Sequence, residues 1–579
     1  MIFAGRWPEP NQGTRVNQKT SRTTVALLLF LLAGCARNPF VLDDLDRAPR
    51  KPEERLRRLE AANLERFAQP KNDAPPSDDV VRRRFDGIEK MDMKIEDARK
   101  SVLENNLELK VAVVDPAIAR ERVSEEEARF ESALTFRSGW QESDSPTSSS
   151  LVTATGQNRF LEPGVRVPLI TGGTASVSVP ISRNENDNSF STLNPAYTSD
   201  LEFSISHPLL RNAGRRANTA SLRIAGYEQQ ATEARTKLEA IRQLAAADRS
   251  YWRLYQARRE LEVRQQQYEL ADAQLKRAER RVSQELAAEI EVTRASAGLA
   301  DRLEAIITSQ RNLLLQQREL KRIVNMPGLT IETPTQVVPT TEPDPVEYLF
   351  DPAKLCAEAV ANRMEMLELE LRLAADAASI GLARNQMLPL LSLDYTYRVN
   401  GLGDSFSASM GTARDNRFED WELGLNAEIP LGNEAARSRL ASAILTRIQR
   451  LNSRAAREQA IHEEVLNAVD VINEGWQRIL AARQSVVLNT RALQAEQRAF
   501  EVGRSTSTDV LDAASRLAEA QLAEIRALAE YQVAQVDLAF ATGTLLGAAK
   551  VEWTPVERPD VDGTPDPVEE PAAAAEKPG

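Results

Sequence analysis

The sequence predicts an α+β chain made by duplicating one helix–strand–strand–helix–helix unit. Its longest helices are wound as coiled coils, and its strands form a sheet with two unlike faces. Three observations carry this. Leu254, Leu261, Tyr268, Leu275 and Val282 recur every seven residues, the period of a coiled coil. Ile472, Ile479, Val486, Leu493 and Phe500 do the same, and one shift of 218 residues superimposes the second series on the first. Between the helices, Leu201, Phe203 and Ile205 alternate with Glu202, Ser204 and Ser206, the period of a half-buried strand.

Taken in chain order, the first feature is Arg22 followed by an apolar run from Val25 to Leu32 and then Leu32-Ala33-Gly34-Cys35. The run is far shorter than the ~20 residues of a membrane-spanning helix and fits the apolar core of a secretory signal, residues 1–34. The pattern LAGC resembles a bacterial lipobox. That resemblance implies a covalent lipid on Cys35, the first residue of the mature chain. Residues 35–93 are polar and proline-punctuated, a tether with little core of its own.

The first repeat, 94–330, is expected to run through a helix (about Lys94–Phe130), strands, a very long helix (about Arg216–Gln284) and a second helix (about Ile290–Asn325). A Pro-rich linker, 331–350, excludes continuous helix. The second repeat, 351–550, restates the order: helix (about Pro352–Gln386), strands, long helix (about Asn433–Glu501), helix (about Thr508–Thr542). Ala257, Ala271 and Ala278 sit between the apolar heptad positions of the first seam, so a partner helix can approach closely. Residues 551–579 are acidic and Pro-rich, the composition of a disordered tail.

The strands have an apolar and a polar side. Leu391, Leu393, Tyr395 and Tyr397 alternate with Ser392, Asp394, Thr396 and Arg398; Leu423 and Leu425 alternate with Glu422 and Gly424. Such alternation suits a sheet on a soluble core and equally a membrane barrel with lipid outside and water inside. The charges on the polar side favour the wet lumen, and Trp140 and Trp421 lie where an aromatic girdle would be. Long polar loops on one side and the short "ITGG" turn (Ile170–Gly173) on the other fit a barrel. Pro168 and Pro180 flank that turn and each removes a ladder donor, so four strands are expected rather than six. Open strand edges cannot sit in lipid, so the chain must oligomerise.

Several chemistries are excluded. A net charge of −12 lacks the basic face of a nucleic-acid binder. With two Cys and two His, structural zinc has no ligand set. "HEEVL" places Leu466 where a zincin needs its second histidine, leaving His462 a solvent-facing helix residue. No Gly-rich phosphate loop with a following Lys occurs. Cys356 reads as a buried thiol, and Trp252 and Trp476 as interface packing. No enzyme, metal or cofactor beyond the lipid is expected.

"FEVGRSTSTDVLDAASRLAEAQ" (Phe500–Gln521), "LAFATGTLL", "HPLLRNAG" and "IPLGNEA", in this order and duplicated spacing, resemble the TolC-like outer-membrane efflux proteins over roughly Lys94–Leu546. The resemblance implies a homotrimer in which a transmembrane β-barrel continues into a long coiled-coil α-barrel. It implies an outer-membrane exit duct of a tripartite efflux pump or type I secretion system, extending into the periplasm. A periplasmic adaptor and an inner-membrane transporter would be the partners. By the same resemblance Asp509 and Asp512 would line the pore entrance, and Val502, Gly503, Arg504 and Ser505 would form the adaptor-contact tip. The 218 shift pairs Gly503 with Glu285, Asp509 with Glu291 and Asp512 with Arg294. The first tip therefore lacks the turn glycine, and an Arg294–Asp512 pair would hold the entrance shut. The rival is a lipid-anchored structural coiled coil that spaces the envelope; it leaves the alternating strands and the "DVLD" restart unexplained.

Overall fold

The computed structural model describes residues 78–147, 153–285, 288–502 and 504–551. Cys35, Gly503 and the C-terminal tail lie outside the described residues. The chain opens with α1 (Asp78–Arg82), β1 (Lys90–Met93), α2 (Ile95–Asn105) and α3 (Leu107–Ala128). Strands β2 (Ala133–Asp144), β3 (Thr155–Pro168), β4 (Thr174–Ser178), β5 (Ile181–Asn186), β6 (Ala196–Ser199) and β7 (Leu201–Pro208) follow. The first helical hairpin is α4 (Arg215–Asn218), α5 (Ala220–Ser283) and α6 (Glu289–Val324). After β8 (Gln336–Pro339) come α7 (Pro352–Asn362), α8 (Met364–Gln386), β9 (Leu390–Val399), β10 (Leu402–Gly403), α9 (Phe406–Arg414) and β11 (Glu419–Glu428). The chain closes with α10 (Glu434–Glu501), α11 (Ser507–Ala541) and α12 (Leu545–Ala548).

The long helices form where the heptads run. Leu254, Leu261 and Tyr268 of α5 are buried with Ile306 and Leu313 of α6; Ile472 and Ile479 of α10 are buried with Ala527 and Tyr531 of α11. The two hairpins join through α5 and α11, where Val263 meets Ala518 and Leu522. At a rise of 1.5 Å per residue, the 64 residues of α5 and 68 of α10 make helices about 100 Å long. Among the described residues, no helix is long and apolar enough to cross a membrane.

The leading helix of each repeat is broken, which the sequence does not announce. In the first repeat the break is Asn106, whose carbonyl side chain accepts the Leu109 N–H at 2.9 Å while its amide donates to Ile323 O at 2.9 Å. In the second it is Arg363, buried at 3% exposure and paired with Glu365 and Glu464. Both breaks satisfy the orphan groups of a helix end without proline or glycine. A third break, at Thr219, separates α4 from α5.

The sheet corrects the four-strand expectation. β4 and β5 hold one register against β3, β6 and β7 hold one register against β5 and β4, and β10 continues β9 against β6. They are six strands in sequence order, an antiparallel meander from β2 to β11. Pro168 ends β3 opposite Thr174. At Pro180, between β4 and β5, the carbonyl still accepts the Asp200 N–H at 2.9 Å. The prolines remove donors but leave acceptors, so the register runs through. Equivalent positions are offset by 257 before the strands (Asn106, Arg363) and by 218 after them. The 39-residue difference is the inserted β3–β4/β5 pair.

A second, parallel sheet pairs β1 with β8. It ties the chain ahead of the first repeat to the chain between the repeats. Tyr251 on α5 fixes both, donating to Met93 O at 3.0 Å and accepting the Thr341 N–H at 2.9 Å.

Candidate functional site

Two places carry chemistry: the reversals of the helical hairpins and the two-faced sheet. Residues 94–330 and 351–550 each end in one such hairpin. The first reversal passes through Glu285 at φ 56, with its N–H bonded to Val282 O at 2.9 Å. A side chain held there is strained, because the left-handed region brings Cβ against the following carbonyl.

The second reversal leaves α10 at Val502, which is exposed, and Arg504 N–H returns to Ala499 O at 2.9 Å. Thr506 then caps α11. Its hydroxyl accepts the Asp509 N–H at 3.3 Å, and the Asp509 carboxylate accepts the Thr506 N–H at 2.8 Å. This is a reciprocal capping box. Ser505 donates to Glu496 at 2.8 Å, tying the turn back to α10. The Thr506 hydroxyl and backbone, with Ser505, hold the Asp509 carboxyl below the usual carboxylate range. Asp509 is thus an ionised cap, and Asp512, one turn on, is the freer exposed carboxylate of the two.

Arg294 lies 3.4 Å from Glu291 on its own helix, so the pairing with Asp512 is not made within one chain. The two tips meet in a cleft lined by Ala278, Arg281, Glu291, Phe500, Ser505 and Ser507. The Arg281 guanidinium stands 5.1 Å over the Phe500 ring. Sequence reasoning missed this contact; its only signal is that Arg281 stands beside Val282, the last heptad position, which the 218 shift pairs with Phe500.

The sheet separates its residues by parity. One face carries Glu162, Ser176, Glu202, Ser204, Asp394, Arg398 and Glu422, knit by Arg398–Glu202 at 2.6 Å, Asn426–Asp394 at 2.6 Å and Ser176–Ser204 at 2.7 Å. The other carries Leu134, Phe136, Val165, Val177, Leu201, Phe203, Ile205, Leu393, Leu423 and Leu425, without a covering layer over most of its extent. Trp140 and Trp421 lie on this apolar face, 66% and 69% exposed. Among the described residues β2 pairs only with β3 and β11 only with β9, so both edges are open. Arg211, Thr171 and the strand-to-helix passages mark one end; Ser145, Ala154, the loop at 187–195 and the α9-bearing connection at 404–418 mark the other. Among the described residues no cluster of His, Cys, Asp and Glu could hold a metal ion.

Residues 355–544 match the family described as outer membrane efflux protein. Outer membrane protein TolC of Vibrio cholerae is 29% identical over 198 residues, 33% of this chain and 44% of that protein. Its namesake in Escherichia coli is 25% identical over 306 residues, 51% of this chain and 60% of that protein. The chain thus spans about half the length of the curated relatives it matches. In fold, it superimposes on the crystal structure of the Campylobacter jejuni CmeC outer membrane channel with a TM-score of 0.60 at 14% identity, covering 84% of this chain and 94% of that one.

Proposed function

We propose that this chain is a member of the outer membrane efflux protein family and acts as the outer-membrane exit duct of a tripartite efflux pump or type I secretion system. The observation that carries the reading is the open six-strand meander with one charged and one bare apolar face. An edge left unpaired in hydrocarbon strands its N–H and C=O groups. Edge-to-edge closure of β11 of one copy on β2 of the next satisfies both. Three copies of six strands give eighteen, inside the range of roughly 8 to 26 strands known for outer-membrane barrels. Lipid then covers the Leu423–Leu425 side, and water fills the lumen lined by Glu202, Asp394 and Arg398.

The helices support the same assembly. Leu445, Val471 and Leu488 of α10 are exposed in one chain, and an adjacent copy would cover them in a closed α-barrel about 100 Å long. The duct is passive and carries no catalytic group. A periplasmic adaptor would dock at the tip around Val502, Arg504 and Ser505, with Gly503 between them, and an inner-membrane transporter would supply the energy. Asp509 and Asp512, with Glu291 and Arg294 beside them, would ring the entrance. The LAGC pattern supports a lipid anchor at Cys35.

Purified full-length protein in planar bilayers tests the reading. Discrete conductance steps are expected. A folded trimer that conducts nothing would overturn the duct and favour the envelope-spacing coiled coil.

A further inference from the structure

One short helix lies where the wall of a barrel should be bare. α9 rests on the apolar face of the sheet, near the end remote from the long helices. A Cβ on Gly401 would fall 2.3 Å from Ser409 O, and one on Gly403 2.5 Å from Ser409 N, so glycine alone lets the helix backbone lie on the strand. Ser409 and Ser199, both buried, join through their hydroxyls at 2.8 Å. On the flank of α9, Phe406 and Met410 are exposed one turn apart.

The level of α9 on the sheet is set by register. Trp140, Arg159, Arg183, Tyr197 and Gly403 are successive cross-strand partners, one row across five strands. The Arg159 guanidinium lies 5.2 Å over Trp140, and Arg183 reaches Tyr197 Oη at 3.2 Å and Glu185 at 2.7 Å. Toward the long helices, the next rows hold Leu161 with Ile181, and Phe136 with Val179, Leu201 and Val399. Away from them, the next row holds Glu142, Gln157 and Glu185. The apolar band therefore ends at a line of arginines and aromatics, the composition of a membrane–water interface.

We propose that α9 is an interfacial helix on the outer wall, seated in the outer leaflet with Phe406 and Met410 where hydrocarbon gives way to headgroups. Its partner is the lipid surface. The inference rests on the barrel reading above. α9 cannot be a plug, because it lies on the face opposite Glu202, Asp394 and Arg398. Its exposed apolar side continues the face that lipid would cover, at the level where that face ends.

Depth-dependent quenching tests this on full-length protein in phosphatidylcholine–phosphatidylglycerol vesicles. Met410→Cys, Leu423→Cys and Ser145→Cys, each in a Cys356→Ser background, are labelled with an environment-sensitive fluorophore; the background protein corrects for any label on Cys35. The expected result is at least threefold stronger quenching at position 410 by a headgroup-level lipid quencher than by aqueous iodide, with position 423 quenched by a deep lipid quencher. Iodide quenching at 410 equal to that at the loop position 145, with 423 still lipid-quenched, overturns the inference and makes α9 a water-facing surface for a protein. Loss of lipid quenching at 423 as well shows that the barrel reading itself fails, and the inference with it.

Discussion

Gly543 packs against Asn362 across the two ends of the second repeat. It turns left-handed at φ 71, and a Cβ placed on it would lie 3.1 Å from the Asn362 carbonyl carbon. The equivalent residue in the first repeat, Asn325, turns left-handed at φ 44 and donates from its side chain to Asn105 O at 2.9 Å. In both halves the end of the last helix therefore locks onto the break in the first. Gly543→Ala meets both the left-handed penalty and the close contact, and a loss of about 1–3 kcal/mol is expected. Thermal unfolding of the detergent-solubilised protein, followed by circular dichroism, measures it.

Arg363 holds the other side of that break. It is buried, with Glu365 2.7 Å away and Glu464 and Arg457 completing the cluster. Arg363→Gln removes one of the two guanidinium groups on half-buried Glu365 while Arg457 stays 3.0 Å away, so a loss on the order of 2 kcal/mol is expected, below the range for a buried pair broken outright. Burial is the largest single influence and pushes the Glu365 carboxyl up, but the bond from Arg363, a backbone N–H and the charges of Arg363 and Arg457 together hold it below its ordinary value. A depressed carboxylate stabilises the fold above its unfolded pKa of about 4.3 and ceases to do so as pH falls through the folded value. The stabilities of the parent and Arg363→Gln should therefore stay apart at neutrality and draw together as pH falls below about 4.3 and through the lower folded value.

What the sequence disclosed follows from which signals are local. The helix ends at Ser283 and Glu501 lie 218 residues apart, as the heptads require, and period-two alternation located β7, β9 and β11. Pro168 and Pro180 misled because a proline removes one donor, and the sequence does not say whether its carbonyl still has a partner. The breaks at Asn106 and Arg363 are set by groups more than 90 residues away, such as Ile323 and Glu464, and no turn residue announces them. The β1–β8 pair joins segments 246 residues apart, with nothing in either to signal the other. At the second tip Asp509 and Asp512 stand as neighbouring carboxylates in the sequence, but that Asp509 caps α11 while Asp512 caps nothing needed the side-chain geometry.

Glu285 occupies, at φ 56, the position that Gly503 takes in the second tip by the 218 shift. Only glycine adopts that conformation without Cβ crowding. Glu285→Gly should stabilise the first reversal by about 1 kcal/mol. Amide hydrogen exchange of residues 278–294 reads this directly, as slower exchange confined to the turn. Unchanged or faster exchange would mean that the Glu285 side chain makes a compensating contact in the assembled protein.

Thr506 and Asp512 separate capping from charge at the proposed entrance. Thr506→Ala removes the hydroxyl that accepts the Asp509 N–H and donates to its carboxylate at 2.7 Å. The first turn of α11 should fray by about 1 kcal/mol, seen as faster exchange at Thr508–Val510. Charge at the axis is unchanged by that substitution, so ion selectivity should hold. Asp512→Asn does the reverse: its carboxylate caps nothing, so exchange should be unchanged. In a trimer it removes three negative charges from one constriction, which lowers the attraction for cations. The reversal potential under a KCl gradient should then shift away from cation preference. Equal shifts from Thr506→Ala and Asp512→Asn would show that the tip's fold, rather than the Asp512 charge, sets selectivity.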